Sequence, residues 1–326
     1  MSKIPFKSSP WRLVGLLAAT LVMGSGAAAQ VPESSEPIKI VVNNWNSQLV
    51  LANISGRLLE KLGYNVAYMP AHTQMQYSAL ANGDMHFQVE VWEGTMAEAF
   101  EKQVARGGII DAGSHDAVTR EDWWYPAYVE EICPGLPDWQ ALKDCSAKLA
   151  TPETGGKGRY LAGPSEWEKP DRERVEALGL DIVVVNADDA STLWRELEAA
   201  SQSKQPIILF NWTPNWVEAE YPGNFVDFPD HDPDCEADPK WGLNPEVTHD
   251  CGNPKQGWLK KGVWSGFEET WPCAYRLVET INFTNDQIAD AAAKVDVGGA
   301  SPEEAAAQWL DENEAVWRAW MPACAP

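Results

Sequence analysis

Residues 206–216 read PIILFNWTPNW. Pro206 and the Thr213-Pro214 pair bracket the apolar run Ile207–Phe210, and a short apolar run between breakers is the pattern of a buried central strand. This one closes on Asn211 and Trp212, with Trp216 beyond, where such strands usually end in small or polar residues. Upstream, DDASTLWRELEAASQSK (188–204) reads as a helix capped by Asp or Ser. Before it, EALGLDIVVVNA (176–187) gives a helix end, Gly179 and another strand. The same grammar stands nearer the N-terminus. IKIVVNNW (38–45) is a strand, and SQLVLANISGRLLEKLG (47–63) has helical apolar spacing and stops at Gly63. YNVAYMPA, a helix TQMQYSALANG and the strand MHFQVEVW follow. Gly63 answers Gly179, YNVAYM answers LDIVVV, and the last strands close on Trp92 and Trp212. Strands alternating with helices of this length predict two parallel-type α/β units related as a pseudo-repeat, in pattern more than in identity.

In open α/β sheets ligands bind outside the carboxyl ends of the strands. Trp45, Trp92 and Trp212 all stand at such ends, so two facing units would bring three indoles to the cleft between them. The competing role is that of core aromatics, which 17 tryptophans make unremarkable for any one of them. Three at equivalent topological positions favour the cleft.

Composition narrows the class. Lys3, Lys7 and Arg12 precede the apolar LVGLLAATLVMG, and GAAA ends the segment at Ala29, so residues 1–29 read as a cleaved secretory signal. No cysteine follows the apolar core, which argues against a lipid anchor. Removing three cations takes the formal charge of the 326-residue chain from -23 to -26. So acidic a chain is a poor partner for nucleic acid or anionic lipid. Six cysteines in an exported chain predict disulfides. Their pairing is open from sequence, but loop-closure cost favours neighbours: Cys133–Cys145, Cys235–Cys251 and Cys273–Cys324. No G-x-S-x-G elbow, H-E-x-x-H or phosphate loop is present, so enzymatic chemistry has no recognisable seat. A sugar-binding protein is the other class that stacks tryptophans, but the indole motifs lack the surrounding Asp, Asn and Arg.

The stretches IKIVVNNWNSQLVLANISGRLLEKLGYNV, VEVWEG, WWYPAYVEE, GLPDWQAL, FNWTPNW and FTNDQIADAAAKVDVGGASPEEAAAQWLDEN run in order through nearly the whole chain. In them the chain resembles the substrate-binding proteins of ABC importers for glycine betaine, choline and related methylated amines. The cysteine-bearing loop between Phe228 and Trp264 fits the subgroup that binds trimethylamine N-oxide better than the betaine or choline binders. The resemblance implies a two-lobed α/β fold of the second periplasmic-binding type, with the site in the cleft. Lobe 1 would comprise residues 30–122 and 222–326, and lobe 2 residues 123–221. Separate sheets, crossings near Asp122 and Tyr221, and C-terminal helices returning to lobe 1 are expected. A monomer working in the periplasm with membrane permease subunits is implied as well.

The resemblance also implies an aromatic box around a quaternary nitrogen. A methylated ammonium donates no hydrogen bond, so cation–π attraction and methyl packing must hold it, and indole offers the best face. Trp45, Trp92 and Trp212 are three walls. Trp124 is the choice for a fourth, with Trp123 and Tyr125 as alternatives; Trp167, after another predicted strand end, is a further candidate or rim packing. Trp216 is expected to pack on a turn. Glu131 is expected to supply the balancing carboxylate, with Glu90 and Glu93 as rivals. No Arg or Lys is expected near the box motifs, which tilts the ligand from betaine towards a small oxygen or hydroxyl head. Finally, Asp230, Asp232, Asp234 and Glu236 alternate in FPDHDPDCEADPKWG (228–242), a spacing that suggests a structural Ca²⁺ site. A solvated acidic loop is its competitor.

Overall fold

Ile38–Val42, Val66–Pro70, Phe87–Trp92, Ile182–Asn186 and Leu209–Thr213 form strands from β-branched and aromatic runs in the places their spacing predicts. The computed structural model describes residues 1–5 and 31–324, so nearly all of the segment read as a signal lies outside the described residues. The strands all lie within Val31–Pro326. In chain order they are β1 (Ile38–Val42), β2 (Val66–Pro70), β3 (Phe87–Trp92), β4 (Ile109–Pro126), β5 (Pro134–Pro137), β6 (Gly158–Ala162), β7 (Ile182–Asn186), β8 (Leu209–Thr213), β9 (Gly223–Phe225) and β10 (Gly257–Trp264). All but β5 join in the order β2-β1-β3-β10-β4-β8-β6-β7, with β9 beside β4.

The pseudo-repeat is visible in the pairing. β1 lies between β2 and β3, parallel to both, and β6 lies between β7 and β8 in the same way. Each third strand then meets an antiparallel neighbour, β10 for β3 and β4 for β8. Every residue of β3 is buried, as a strand covered on both faces requires. The helix Asn46–Lys61 buries Val50, Leu51, Ile54 and Leu58 along one stripe. The C-terminal helices Asn285–Asp296 and Pro302–Glu312 pack on it, so the chain does return to the first half. Capping boxes at Thr284–Gln287 and Ser301–Glu304 set where these two helices begin.

The first crossing lies near Asp122, as expected, but within a strand. β4 pairs β10 through residues 109–119 and then β8 and β9 through residues 120–126. One strand therefore serves both halves, and the hydrogen-bonded path is continuous where separate sheets were expected. The return also falls later than Tyr221, because β9 still pairs the second half of β4, and the chain rejoins the first half only at β10. One buried network fastens both passages. Arg174 Nη1 donates to Asp122 Oδ1 on β4 at 2.7 Å, and its Nε donates to the Cys251 carbonyl at 2.9 Å. The Asn253 amide completes it by donating to Asp122 Oδ2.

The three neighbouring cysteine pairs are the disulfides. Cα separations are 5.4 Å for Cys133–Cys145, 6.2 Å for Cys235–Cys251 and 6.0 Å for Cys273–Cys324, all in the ordinary range. The second ties the acidic loop to the segment that Arg174 holds.

Candidate functional site

Four strands of the repeat deliver four indoles to one place. Trp45 follows β1, Trp92 ends β3, Trp167 follows β6 and Trp212 lies in β8. They surround a cavity of about 30 Å³, on a measure in which one water needs roughly 10–15 Å³. Trp167 meets Trp45 edge-on at 6.1 Å and Trp212 edge-on at 5.6 Å between ring centroids. Phe210 and Met96 complete the apolar wall, and Thr73, Thr95 and Glu121 are the polar groups that reach the cavity.

Glu90 holds two of the walls. It is fully buried on β3, and its Oε2 accepts from Trp45 Nε1 at 2.7 Å, Trp92 Nε1 at 2.9 Å and Ser47 Oγ at 3.1 Å. Burial pushes its carboxyl up to about 7, against the pull of those three donors. Trp167 is held from its own side, donating from Nε1 to Asn44 Oδ1 at 3.1 Å. Trp45, Trp92 and Trp167 are thus each oriented by an N–H held on a fixed acceptor.

Glu121 is the carboxylate at the cavity. It sits on β4 where the strand changes partners, directly opposite Trp212. Antiparallel partners share a face, so Glu121 and Trp212 point the same way. Its Oε1 accepts from Thr95 Oγ1, while Oε2 is buried without a hydrogen-bond partner among the described residues. A Cβ on Gly94 would lie 2.7 Å from that Oε2, so only glycine lets the carboxylate approach so near the helix Glu93–Ala105. Burial raises its carboxyl above the usual range, and Lys169 and Thr95 pull it back down.

Trp45, Trp92 and Trp212 are where the strand ends place them. Trp124 is not at the cavity: three positions beyond Glu121 on β4, it faces the opposite side of the sheet, opposite Leu209, and is fully buried against Gly223 of β9. Trp123 instead stacks on Tyr160 at 3.8 Å and donates to Asp171. The fourth wall is Trp167. The repeat itself carries the signal for it, since β1 and β6 are equivalent and each is followed by a tryptophan. Glu131 is exposed on the short helix Val129–Ile132 and does not line the cavity. Glu93 accepts from the Trp258 amide instead. A lysine does stand beside the box: Lys169, two residues past Trp167, donates to the Gly94 carbonyl and to Thr95 Oγ1. Trp216 packs on Trp194 and donates to Asp296.

The acidic loop does not assemble as expected. Pro233–Ala237 coils into a helical turn, and residues two apart on a helix point away from each other. Asp232 caps that turn through the Asp234 amide, Asp230 pairs with Lys255 at 2.7 Å, and Glu236 faces His231 at 3.8 Å. Among the described residues no three acidic, His or Cys side chains are grouped to hold a metal ion. The donor set does not fit Ca²⁺, and no role is derived for the ion.

Comparison with known proteins agrees with this geometry. Residues 36–312 match the family described as the substrate binding domain of the ABC-type glycine betaine transport system. The trimethylamine N-oxide-binding protein of Pelagibacter ubique is 38% identical over 317 residues, spanning 94% of this chain and 98% of the relative. Among solved structures, the glycine betaine/L-proline-binding protein ProX from Borrelia burgdorferi superposes with a TM-score of 0.72 at 19% identity, covering 88% of this chain and 97% of that one. An ABC-transporter choline-binding protein in complex with choline gives 0.72 at 18% identity, covering 89% and 92%. These two share the fold, which is that of the two-lobed periplasmic binding proteins. With the repeat, the shared strand between its halves and the matched length, the chain belongs to the family of substrate-binding domains of ABC-type glycine betaine transport systems.

Proposed function

We propose that this protein captures trimethylamine N-oxide outside the cytoplasm and hands it to the permease of an ABC importer. The observation that supports this most is the meeting of four indoles from four equivalent strand ends around one small cavity. Each indole face attracts a methylated cationic nitrogen by ~0.5 to 2 kcal/mol, so several together reach a useful affinity without any hydrogen bond to it. The name of the Pelagibacter relative points to the same ligand.

Glu121 distinguishes ligands within the class. An N-oxide oxygen accepts hydrogen bonds, and a carboxyl whose protonated form burial favours can donate one. Choline would be drawn by the ionised form instead. Glycine betaine carries its own carboxylate, which ionised Glu121 repels and no cation among the described residues lining the cavity balances. The same reading has the protein exported after cleavage near Ala29 and working as a monomer without nucleic acid.

Tryptophan emission gives the test. Titrating trimethylamine N-oxide should change emission saturably in the wild type, with weaker affinity in Trp167→Ala and Trp212→Ala and no loss of affinity in Glu131→Ala. Equal affinity in all three variants would remove the box from the account.

A further inference from the structure

We propose that Lys169 is a positioning residue of the binding site, reaching from the second half of the molecule to fix the Thr95 hydroxyl on Glu121. The inference rests on the reading of the cavity as a methylated-amine site and deepens it. Lys169 follows β6 and Trp167; Gly94 and Thr95 follow β3. Its Nζ lies 2.8 Å from the Gly94 carbonyl and 3.1 Å from Thr95 Oγ1, and 5.5 Å over the ring of Phe210, a cavity wall.

The direction of the hydrogen bonds follows from chemistry. An ammonium group donates and never accepts. Thr95 Oγ1 must therefore accept from Lys169, and its single proton is left for Glu121 Oε1. The relay Lys169–Thr95–Glu121 runs from one half to the other beside the cavity. It places a cation and an oriented donor behind the carboxylate that meets the ligand. Without Lys169 the hydroxyl is free to turn, and the charge on Glu121 loses its support.

The groups acting on Glu121 come from every side. Lys169 favours its ionised form, neighbouring Asp122 opposes it, and Tyr77 of the helix Gln76–Asn82 also faces it. Asp122 is itself paired with Arg174 at 2.7 Å. Burial favours the protonated form, and Lys169 is foremost among the groups that resist it. A plain tether between halves would make the same two contacts but would not alter how the carboxyl titrates.

Calorimetric titration of choline and of trimethylamine N-oxide over a pH series rising from the ordinary carboxylate range separates the two roles. In the wild type, choline affinity should rise with pH as Glu121 ionises, and N-oxide affinity should fall. Lys169→Met should move both midpoints to higher pH, Thr95→Val should do the same, and Lys169→Arg should keep the wild-type profile. Glu121→Gln should make both profiles indifferent to Lys169→Met, whatever dependence Glu90 leaves in them. A Lys169→Met variant that weakens both ligands by the same factor at every pH, or changes nothing, overturns the proposal. Failure of the wild type to bind either amine instead contradicts the ligand reading itself and removes the basis of this proposal with it.

Discussion

Glu90 has no solvent contact, yet two indoles and a hydroxyl converge on one of its oxygens. The fold favours its protonated form, with the carboxyl near 7. A raised carboxyl contributes stability that is complete below the unfolded value, about 4.3, and is lost as pH rises through the folded value. Wild-type stability should therefore fall between about pH 4.3 and 7 relative to Glu90→Gln, by an amount of the order of 3 kcal/mol. Urea melts of the two proteins across that window check this; parallel profiles would refute it. Alanine at Trp45, Trp92, Trp167 or Trp212 should each weaken ligand binding by ~0.5 to 2 kcal/mol. Trp124→Ala should instead destabilise the fold by about 3–5 kcal/mol, because its ring fills the core. Thermal melts beside binding titrations separate the two outcomes. Trp45, Trp92 and Trp212 were legible because each closes a strand that the apolar pattern reveals. Trp167 was harder to read because the Gly-Pro-Ser turn after β6 parts it from its strand. Trp124 misled because proximity in a motif does not say which face of a strand a side chain takes, and Glu131 because the chain coils into the helix Val129–Ile132 and leaves it exposed.

Elements show the same division between what spacing encodes and what tertiary pairing decides. The order of β1, β2, β3, β7 and β8 followed from the periodicity, and the strand pairing then adds β6 to complete the second triplet. The 18 residues of β4 were not recognisable as a single strand. Polar positions in DAGSHDAVTRED interrupt its pattern, and its length is set by pairing first β10 and then β8. Alternating acids in the loop after Phe228 suggested an extended, converging ligand set, but Pro233 starts a helical turn there, with Asp232 as its cap. Asp232→Ala should then cost about 0.5–2 kcal/mol as a lost cap, and a chelator should leave the melting temperature of the wild type unchanged. A chelator-induced drop restored by Ca²⁺ would return the loop to metal binding.

At the scale of the whole molecule, the cavity exists because two repeats face each other across a shared strand. Arg174 and Asp122 hold that junction from inside, each nearly without solvent contact. Removing one partner of a buried ion pair strands the other charge, so Arg174→Met should destabilise the protein by about 3–5 kcal/mol. Replacing both with apolar residues should cost much less, and a denaturant series of the single and double variants measures the difference. The facing of the halves was legible through the resemblance and the repeat; the junction was not, since Asp122, Arg174 and Asn253 lie far apart in sequence. On the proposed reading, the four-indole cavity with Glu121 suits trimethylamine N-oxide better than glycine betaine. Calorimetric titration of trimethylamine N-oxide and glycine betaine into the same preparation at neutral pH tests it most directly. One saturable site for the N-oxide and at least tenfold weaker binding of glycine betaine are expected; equal or tighter binding of glycine betaine would overturn that preference.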